Sequence, residues 1–499
     1  MKLNKLFIAA IFCGLAAIMM VPTASGRRVT LTLDDAIRLA NDSSLTAFRY
    51  QNLYASGYWE WRSFRANRLP SLSLSLTPAS YNRYITQRYN YEEDIDVFRS
   101  QQIYMASGGL TLTQNVDFLG GFFYLESDLE YMRNFGAYKS NQFSSVPVRM
   151  GYRQNLIGFN QFKWERKIEP VKYEKVKREF IYNMEEVSEQ VVSRFFALAL
   201  AQSEYRLALD NLASADTLYT IGERRFKVAS ISQADLLTLR LDKVNSENTL
   251  ENARINLKRA RFALSSFLGM DTDTEIEVKV PALPMAFEIP LEFAIAQAHE
   301  NNPALLGHRQ TILESERDLN KAKVEARFNA TVNASVGFNQ VANKLPDAYH
   351  NLLRQDLVSV SISIPLIDWG VRKGNINKAK NNLNIAKIAS RQEELSIDQD
   401  VTMTISEFAT QQRMVASAVE ALDLADMAYS QTRQRFIIGK ADINSLTLAN
   451  NRQQEASKNY INSLQNYWLS YYKIRKLTLF DFEFNTPISA AFDRALGLE

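Results

Sequence analysis

The sequence is short of the residues that do chemistry. Of 499 residues, one is cysteine, Cys13, and three are histidine, His299, His308 and His350. A lone thiol excludes a disulfide framework. His299 and His308 fall nine apart on a helical pattern, the wrong spacing for a shared ligand face, so no metal site is expected. No nucleophile motif, phosphate-binding loop or zinc-protease signature occurs. The chain therefore reads as no enzyme, with no cofactor and no metal. Charge of one sign is equally scarce: the net charge is +3. Mixed-sign runs such as residues 163–179 read as solvated helix faces, so no nucleic-acid partner is expected. Beyond residue 26 no uninterrupted apolar stretch approaches about 20 residues, which excludes a membrane-spanning helix in the mature chain.

The one long apolar run opens the sequence. Lys2 and Lys5 precede Leu6 through Val21, followed by the small residues Ala24, Ser25 and Gly26. That pattern reads as a secretory signal peptide over residues 1–26. Phe12 and Ala10 stand where a lipoprotein signal carries a small residue and a leucine, so Cys13 is not read as a lipid anchor. The protein is expected to be exported, and any membrane crossing has to use strands.

What the sequence has in quantity is repetition. Arg225-Phe226-Lys227-Val228-Ala229 returns 210 residues later as Arg435-Phe436-Ile437-Ile438-Gly439. Leu33-Asp34-Asp35-Ala36-Ile37 returns 258 later as Leu291-Glu292-Phe293-Ala294-Ile295. Counting back in sevens from Phe226 gives Tyr219, Leu212, Tyr205, Leu198, Val191 and Met184; from Phe436 it gives Tyr429, Leu422, Val415, Phe408 and Val401. The alanines Ala201, Ala208, Ala215, Ala418 and Ala425 form a second seam. Large residues at one seam and alanine at the other suit a wall of coiled-coil helices with neighbours on both sides, although an ordinary antiparallel bundle shares the periodicity.

The first repeat is placed at 27–285, with helices about 32–66, 160–225 and 232–268 and strands and loops about 69–157. The second is placed at 286–477, with helices about 290–326, 370–435 and 442–477 and strands about 329–366; 478–499 is a tail. Each long helix is about 100 Å at about 1.5 Å per residue. Pro170 predicts a kink or break in the first. The two offsets differ by 48 residues, an insertion in the first copy between about Pro70 and Val146.

The strands alternate with period two. Leu72, Leu74 and Leu76 interleave with Ser71, Ser73 and Ser75, and Val358, Val360 and Ile362 interleave with Ser359, Ser361 and Ser363. In an exported chain this fits membrane strands, one face to lipid and one to water; a soluble sandwich alternates likewise. The insertion has the same texture, so copy one is expected to have four strands where copy two has two. Segments 79–102, 133–145 and part of 339–356, rich in Tyr, Arg and Asn, read as loops on the far side of the membrane.

Together, Leu-acidic-x-Ala-Ile opening each copy, Asn302-Pro303, Leu69-Pro70-Ser71-Leu72, Pro365-Leu366-Ile367-Asp368-Trp369-Gly370 and the two Arg-Phe turns resemble the TolC-type outer membrane efflux protein family. The resemblance covers nearly all of the mature chain, and the duplicated order of the motifs carries it. It implies a mixed α and transmembrane β fold. Long antiparallel coiled-coil helices form a periplasmic α-barrel, continuous with an outer-membrane β-barrel shared across a homotrimer. It also implies an exit duct of a tripartite efflux or type I secretion system, partnered by a periplasmic adaptor and an inner-membrane pump. A channel-less periplasmic tether or adhesin is the alternative. The family barrel has twelve strands; the insertion makes eighteen, or else its hairpin lies outside the barrel.

The resemblance further implies that the Arg-aromatic turns form the closed periplasmic tip, where an Asp of the first turn bonds a Tyr and an Arg of the second. Here Asp235 keeps its position, while Phe436 and Ala441 replace its partners, and Ser445 and Leu448 replace the family's ring acids. Arg225, Phe226, Arg435, Gly439, Lys440 and Asp442 complete the candidate gate. The expectation is closure by packing and an altered ion pair, with Lys440 or Arg435 on Asp235.

Overall fold

The computed structural model describes residues 28–135, 139–271, 273–281 and 287–488. The expected signal peptide and residues 489–499 of the expected tail lie outside them. The helices are α1 (Leu33–Ser43), α2 (Leu45–Ala66), α3 (Gln161–Lys227), α4 (Gln233–Leu268), α5 (Leu291–Asn301), α6 (Pro303–Glu325), α7 (Val371–Ile437) and α8 (Ile443–Thr478). The strands are β1 (Arg28–Leu31), β2 (Ser71–Asn90), β3 (Ile95–Val116), β4 (Gly121–Asn134), β5 (Ser140–Ile157), β6 (Glu275–Val278), β7 (Asn329–Ala342), β8 (Leu353–Ser363) and the short pair β9 (Phe480–Asp481) and β10 (Thr486–Pro487).

Two helices expected to be continuous are each two. The helix placed at 32–66 breaks at Ser44, and the one at 290–326 breaks at Asn302, equivalent positions at the 258-residue offset. Both residues have extended backbone and cap the following helix. Ser44 Oγ accepts from the Ala47 N–H at 3.0 Å, and Asn302 Oδ1 accepts from the Ala304 N–H at 2.9 Å. A short polar side chain at a buried corner satisfies orphan donors that water cannot reach. Pro170 produces no break. α3 is helical throughout its 67 residues, one backbone bond short at the proline, with Ile168 buried on the preceding turn.

Two compact units, each drawing on both repeats, divide the chain. Of the described residues, one comprises 28–52, 180–301 and 397–488. Its core is the heptad seam itself: Val191, Leu198, Val401 and Phe408 are buried, with Phe195, Leu264, Leu464 and Tyr471 around them. β1 and β6 pair in parallel, and Gln202 closes that small sheet by donating to Ile276 O and accepting from the Val278 N–H. Arg475, half-buried beside this core, holds Glu185 bidentately at 3.0 and 3.1 Å and Asp481 at 2.7 Å, while Tyr471 donates to Asp481. Burial disfavours the Arg475 charge, but Glu185 and the surrounding acids carry its pKa above the ordinary value.

The other unit, residues 53–179 and 302–396, is organised on one antiparallel sheet of six strands, in the order β2-β3-β4-β5-β7-β8. Gly57 sits so close to Val176 that a Cβ there would overlap it, and Trp61 stacks on Tyr173 with centroids 5.3 Å apart, which fixes α2 against α3. The segments read as long loops are mostly strand. Residues 79–90 extend β2, 95–102 begin β3, 140–145 begin β5, and β7 runs to Ala342. Their polar and aromatic side chains pair across strands: Tyr81 faces Tyr104, and the Gln87 amide donates to Asp96 at 3.2 Å.

The register gives the sheet two different faces. One cross-strand row is Leu72, Leu112, Leu125, Met150 and Val336; the adjacent row on the opposite face is Ser73, Thr111, Glu126, Arg149 and Gly337. Leu72, Leu125, Met150 and Val336 are exposed, whereas Glu126 accepts from Arg149 at 2.5 Å.

Candidate functional site

The two Arg-Phe motifs end α3 and α7, and their turns are superposable in hydrogen bonding. After α3, Ala229 N–H donates to Phe226 O at 2.9 Å and Ser230 N–H to Arg225 O at 2.8 Å. After α7, Gly439 N–H donates to Phe436 O at 2.9 Å and Lys440 N–H to Arg435 O at 2.8 Å. This is the paired 5→2 and 6→1 closure of a helix C-terminus, which demands a left-handed residue. Gly439 supplies it at φ 80°, and Ala229 supplies it at φ 54°.

The returning helices begin with the same two residue types in exchanged order. Ser232 caps α4 by accepting from the Asp235 N–H at 3.1 Å, while Asp235 Oδ2 accepts from the Ser232 N–H at 3.0 Å and its hydroxyl at 2.8 Å. Asp442 caps α8 by accepting from the Ser445 N–H at 2.6 Å. The Ser232 hydrogen bonds hold the Asp235 carboxyl below its ordinary value, and the Ser445 backbone does the same for Asp442. Ser232 was not singled out in the sequence, although its S-x-x-D spacing with Asp235 is a helix-start signature.

The expected altered ion pair is not formed within the chain. Among the described residues, Asp235 makes no salt bridge with Lys440 or Arg435, and its Oδ2 instead serves its own helix cap. What joins the two turns is Arg225. Its Nη2 donates to Phe436 O at 3.4 Å and Ile437 O at 3.2 Å, the last carbonyls of α7, and its guanidinium lies 5.6 Å from the Phe436 ring centre. Phe436 is 5% exposed, whereas its counterpart Phe226 is 41% exposed. Arg435 and Lys440 are exposed.

Further along, the repeat extends to cross-helix pairs. Lys243 of α4 holds Asp216 of α3 at 2.5 Å; at the equivalent place Gln453 of α8 donates to Asp426 of α7 at 2.8 Å. α3 also meets α8, through Ser203 and Ser457 at 3.2 Å and a cleft of about 240 Å³ lined by Ala208, Asn211, Leu446 and Asn450. No group of three or more His, Cys, Asp or Glu able to hold a metal occurs among the described residues. No helix among them is long and apolar enough to cross a membrane.

Residues 294–478 match the sequence profile of the outer membrane efflux proteins. The cobalt-zinc-cadmium resistance protein CzcC of Cupriavidus metallidurans is 23% identical over 264 residues, 51% of this chain and 58% of that protein's length. The fold is that of the Campylobacter jejuni CmeC outer membrane channel (TM-score 0.64, 14% identity, 89% of this chain and 85% of that one). It is also that of the Vibrio cholerae outer membrane protein VceC (TM-score 0.63, 12% identity, 89% and 95%). Long helices in pairs, antiparallel strands and repeated halves make this a TolC-like fold. The second half of the chain thus carries the outer membrane efflux protein profile, and the chain as a whole has the TolC-like fold of the outer-membrane channels it resembles.

Proposed function

We propose that three copies of this chain form the outer-membrane exit duct of a tripartite efflux or type I secretion system, a passive channel gated at the α3–α4 and α7–α8 turns. The observation that carries the reading is the sheet. Its six strands end at β2 and β8 with unpaired edges, and lipid cannot satisfy those backbone groups. Pairing β8 of one copy with β2 of the next removes every edge, and three copies then close a barrel of eighteen strands. The exposed apolar row through Leu72, Leu125 and Met150 faces lipid, and the row carrying Glu126 and Arg149 faces the water-filled lumen.

The helices support the same assembly. α4 exposes Leu241, Val244, Ile255 and Phe262, and α7 exposes Met403, Met414 and Leu424. Each set lies on one stripe of its helix at the 3.6-residue period. A periplasmic adaptor docks at the turns, an inner-membrane pump drives transport, and selectivity belongs mainly to the pump.

The test is reconstitution of the detergent-extracted protein into planar bilayers, with its mass measured by light scattering. The expected result is a trimer giving discrete conductance steps. A stable monomer, or a trimer that never passes ions, overturns the reading, and the latter result favours a tether.

A further inference from the structure

We propose that Arg435 is the intermolecular counterpart of Arg225: its guanidinium donates to Phe226 O and Lys227 O at the end of α3 in a second copy of this chain and covers that copy's Phe226 ring. The inference rests on the trimer proposed above and adds to it a specific linkage that closes the ring of turns.

The argument starts from the equivalence of the two turns, whose closing hydrogen bonds coincide in partner and length at an offset of 210 residues. At that offset, Phe436 O and Ile437 O correspond to Phe226 O and Lys227 O. The last carbonyls of a helix carry partial negative charge, and Phe226 O and Phe436 O, each accepting one turn N–H, keep a second lone pair for another donor. A guanidinium meets two of them at once, as Arg225 does at the end of α7. Among the described residues of one chain this linkage is made once. Phe436 is buried beneath Arg225, while Phe226 is 41% exposed and has no arginine over it among the described residues. Arg435 is exposed and makes no side-chain hydrogen bond or ion pair among the described residues. A single chain thus carries one completed linkage, one unused donor and one uncovered acceptor.

The donor and the acceptor lie on the two turns, and the helix faces indicate how a second copy brings them together. Inside the chain, α3 meets α8 through Ser203 with Ser457 and Glu204 with Lys458. The equivalent seam pairs α7 with α4, and the structure leaves an apolar stripe uncovered on each: Met403, Met414 and Leu424 on α7, and Leu241, Val244 and Phe262 on α4. If the seam is repeated between copies, α7 of one copy lies against α4 of the next. The Arg435 turn then takes, toward the next copy's first turn, the position that the Arg225 turn takes toward Phe436. Six turns in a trimer alternate intrachain and interchain linkages, and no Arg-Phe pair is left over.

The test uses full-length protein. Its only native cysteine, Cys13, lies in the expected leader, so introduced thiols are unique in the mature chain. Arg435→Cys with Lys227→Cys, treated with a short bis-methanethiosulfonate, is expected to give covalent dimers and trimers on denaturing gels. Arg225→Cys with Ile437→Cys is expected to link within the chain and run as monomer. A light-scattering trimer in which the first pair yields no interchain product overturns this linkage and leaves the trimeric reading standing; a light-scattering monomer overturns both. In bilayers, Arg435→Ala and Arg225→Ala are each expected to lose the closed state. Arg435→Lys, which keeps the charge but not the fork, is expected to lose it in part. An Arg435→Ala channel that closes like the parent, beside an Arg225→Ala channel that does not, overturns the proposal.

Discussion

Ala229 and Gly439 occupy the same left-handed position in the two turns, and only glycine adopts it without a Cβ clash. A non-glycine residue there costs roughly 1 kcal/mol. Ala229→Gly is therefore expected to stabilise the first hairpin by about that amount, and Gly439→Ala to destabilise the second similarly. Hydrogen exchange of the amides at residues 226–236 and 436–446 separates the two; equal protection in parent and variants refutes the assignment. The carboxylates of the caps give a pH prediction. Asp235 and Asp442 both have folded pKa values below the ordinary 3.8. A depressed carboxylate contributes stability that is complete above its unfolded pKa and is lost as pH falls through its folded pKa. The turns are accordingly expected to keep their caps from neutrality down to about pH 4 and to loosen only below 3.8. Loss of amide protection at residues 232–236 and 442–446 already at pH 5 contradicts that. The Arg-Phe motifs were legible because repetition marks them, and Gly439 because glycine is the usual left-handed residue. The real employment of Asp235 was not, since one carboxylate serves either its own helix start or a distant cation and spacing alone does not choose.

At the scale of elements, periodicity located the long helices and the alternating cores of the strands, and it failed where a buried polar residue overrides it. Ser44 and Asn302 divide two helices because each satisfies a helix start from a buried corner. Ser44 leaves the apolar pattern intact, whereas Asn302-Pro303 does carry the signature of a helix start, an asparagine cap followed by proline in the first turn. The far halves of β2 and β3 were read as loops because Tyr, Asn and Arg are mixed there. Paired backbone and cross-strand contacts such as Gln87 with Asp96 hold them as strands. The sheet's two faces lead to a directional test. Leu125 belongs to the apolar row and Thr111 to the row opposite, on neighbouring strands. Arginine at a lipid-facing position costs about 2–4 kcal/mol near the bilayer centre, and a lumen-facing position meets water. Leu125→Arg is expected to depress the yield of folded, heat-resistant protein in lipid, while Thr111→Arg folds and alters ion selectivity. The reverse pattern assigns the faces the other way.

For the molecule as a whole, the question left open in the sequence was whether the 48-residue insertion joins the barrel or lies outside it. In the structure β3 and β4 sit between β2 and β5 in one continuous sheet, paired to β2 over most of its length and to β5 throughout β4. A hairpin in that place cannot be set aside without opening two ladders. Strand number sets barrel width, nearly in proportion. Removing β3, β4 and the turn between them, so that residues 91–94 lead β2 directly into β5, keeps the neighbours antiparallel and leaves four strands per chain. Three such chains make twelve, a barrel about two-thirds as wide. Under the proposed gating the closed turns of the parent limit current, so the comparison belongs in the Arg225→Ala background, where that restriction is expected to be removed. There the shortened chain is expected to remain trimeric and conduct measurably less than the full chain. Equal conductance from a verified trimer would mean that the hairpin contributes nothing to the wall of the pore.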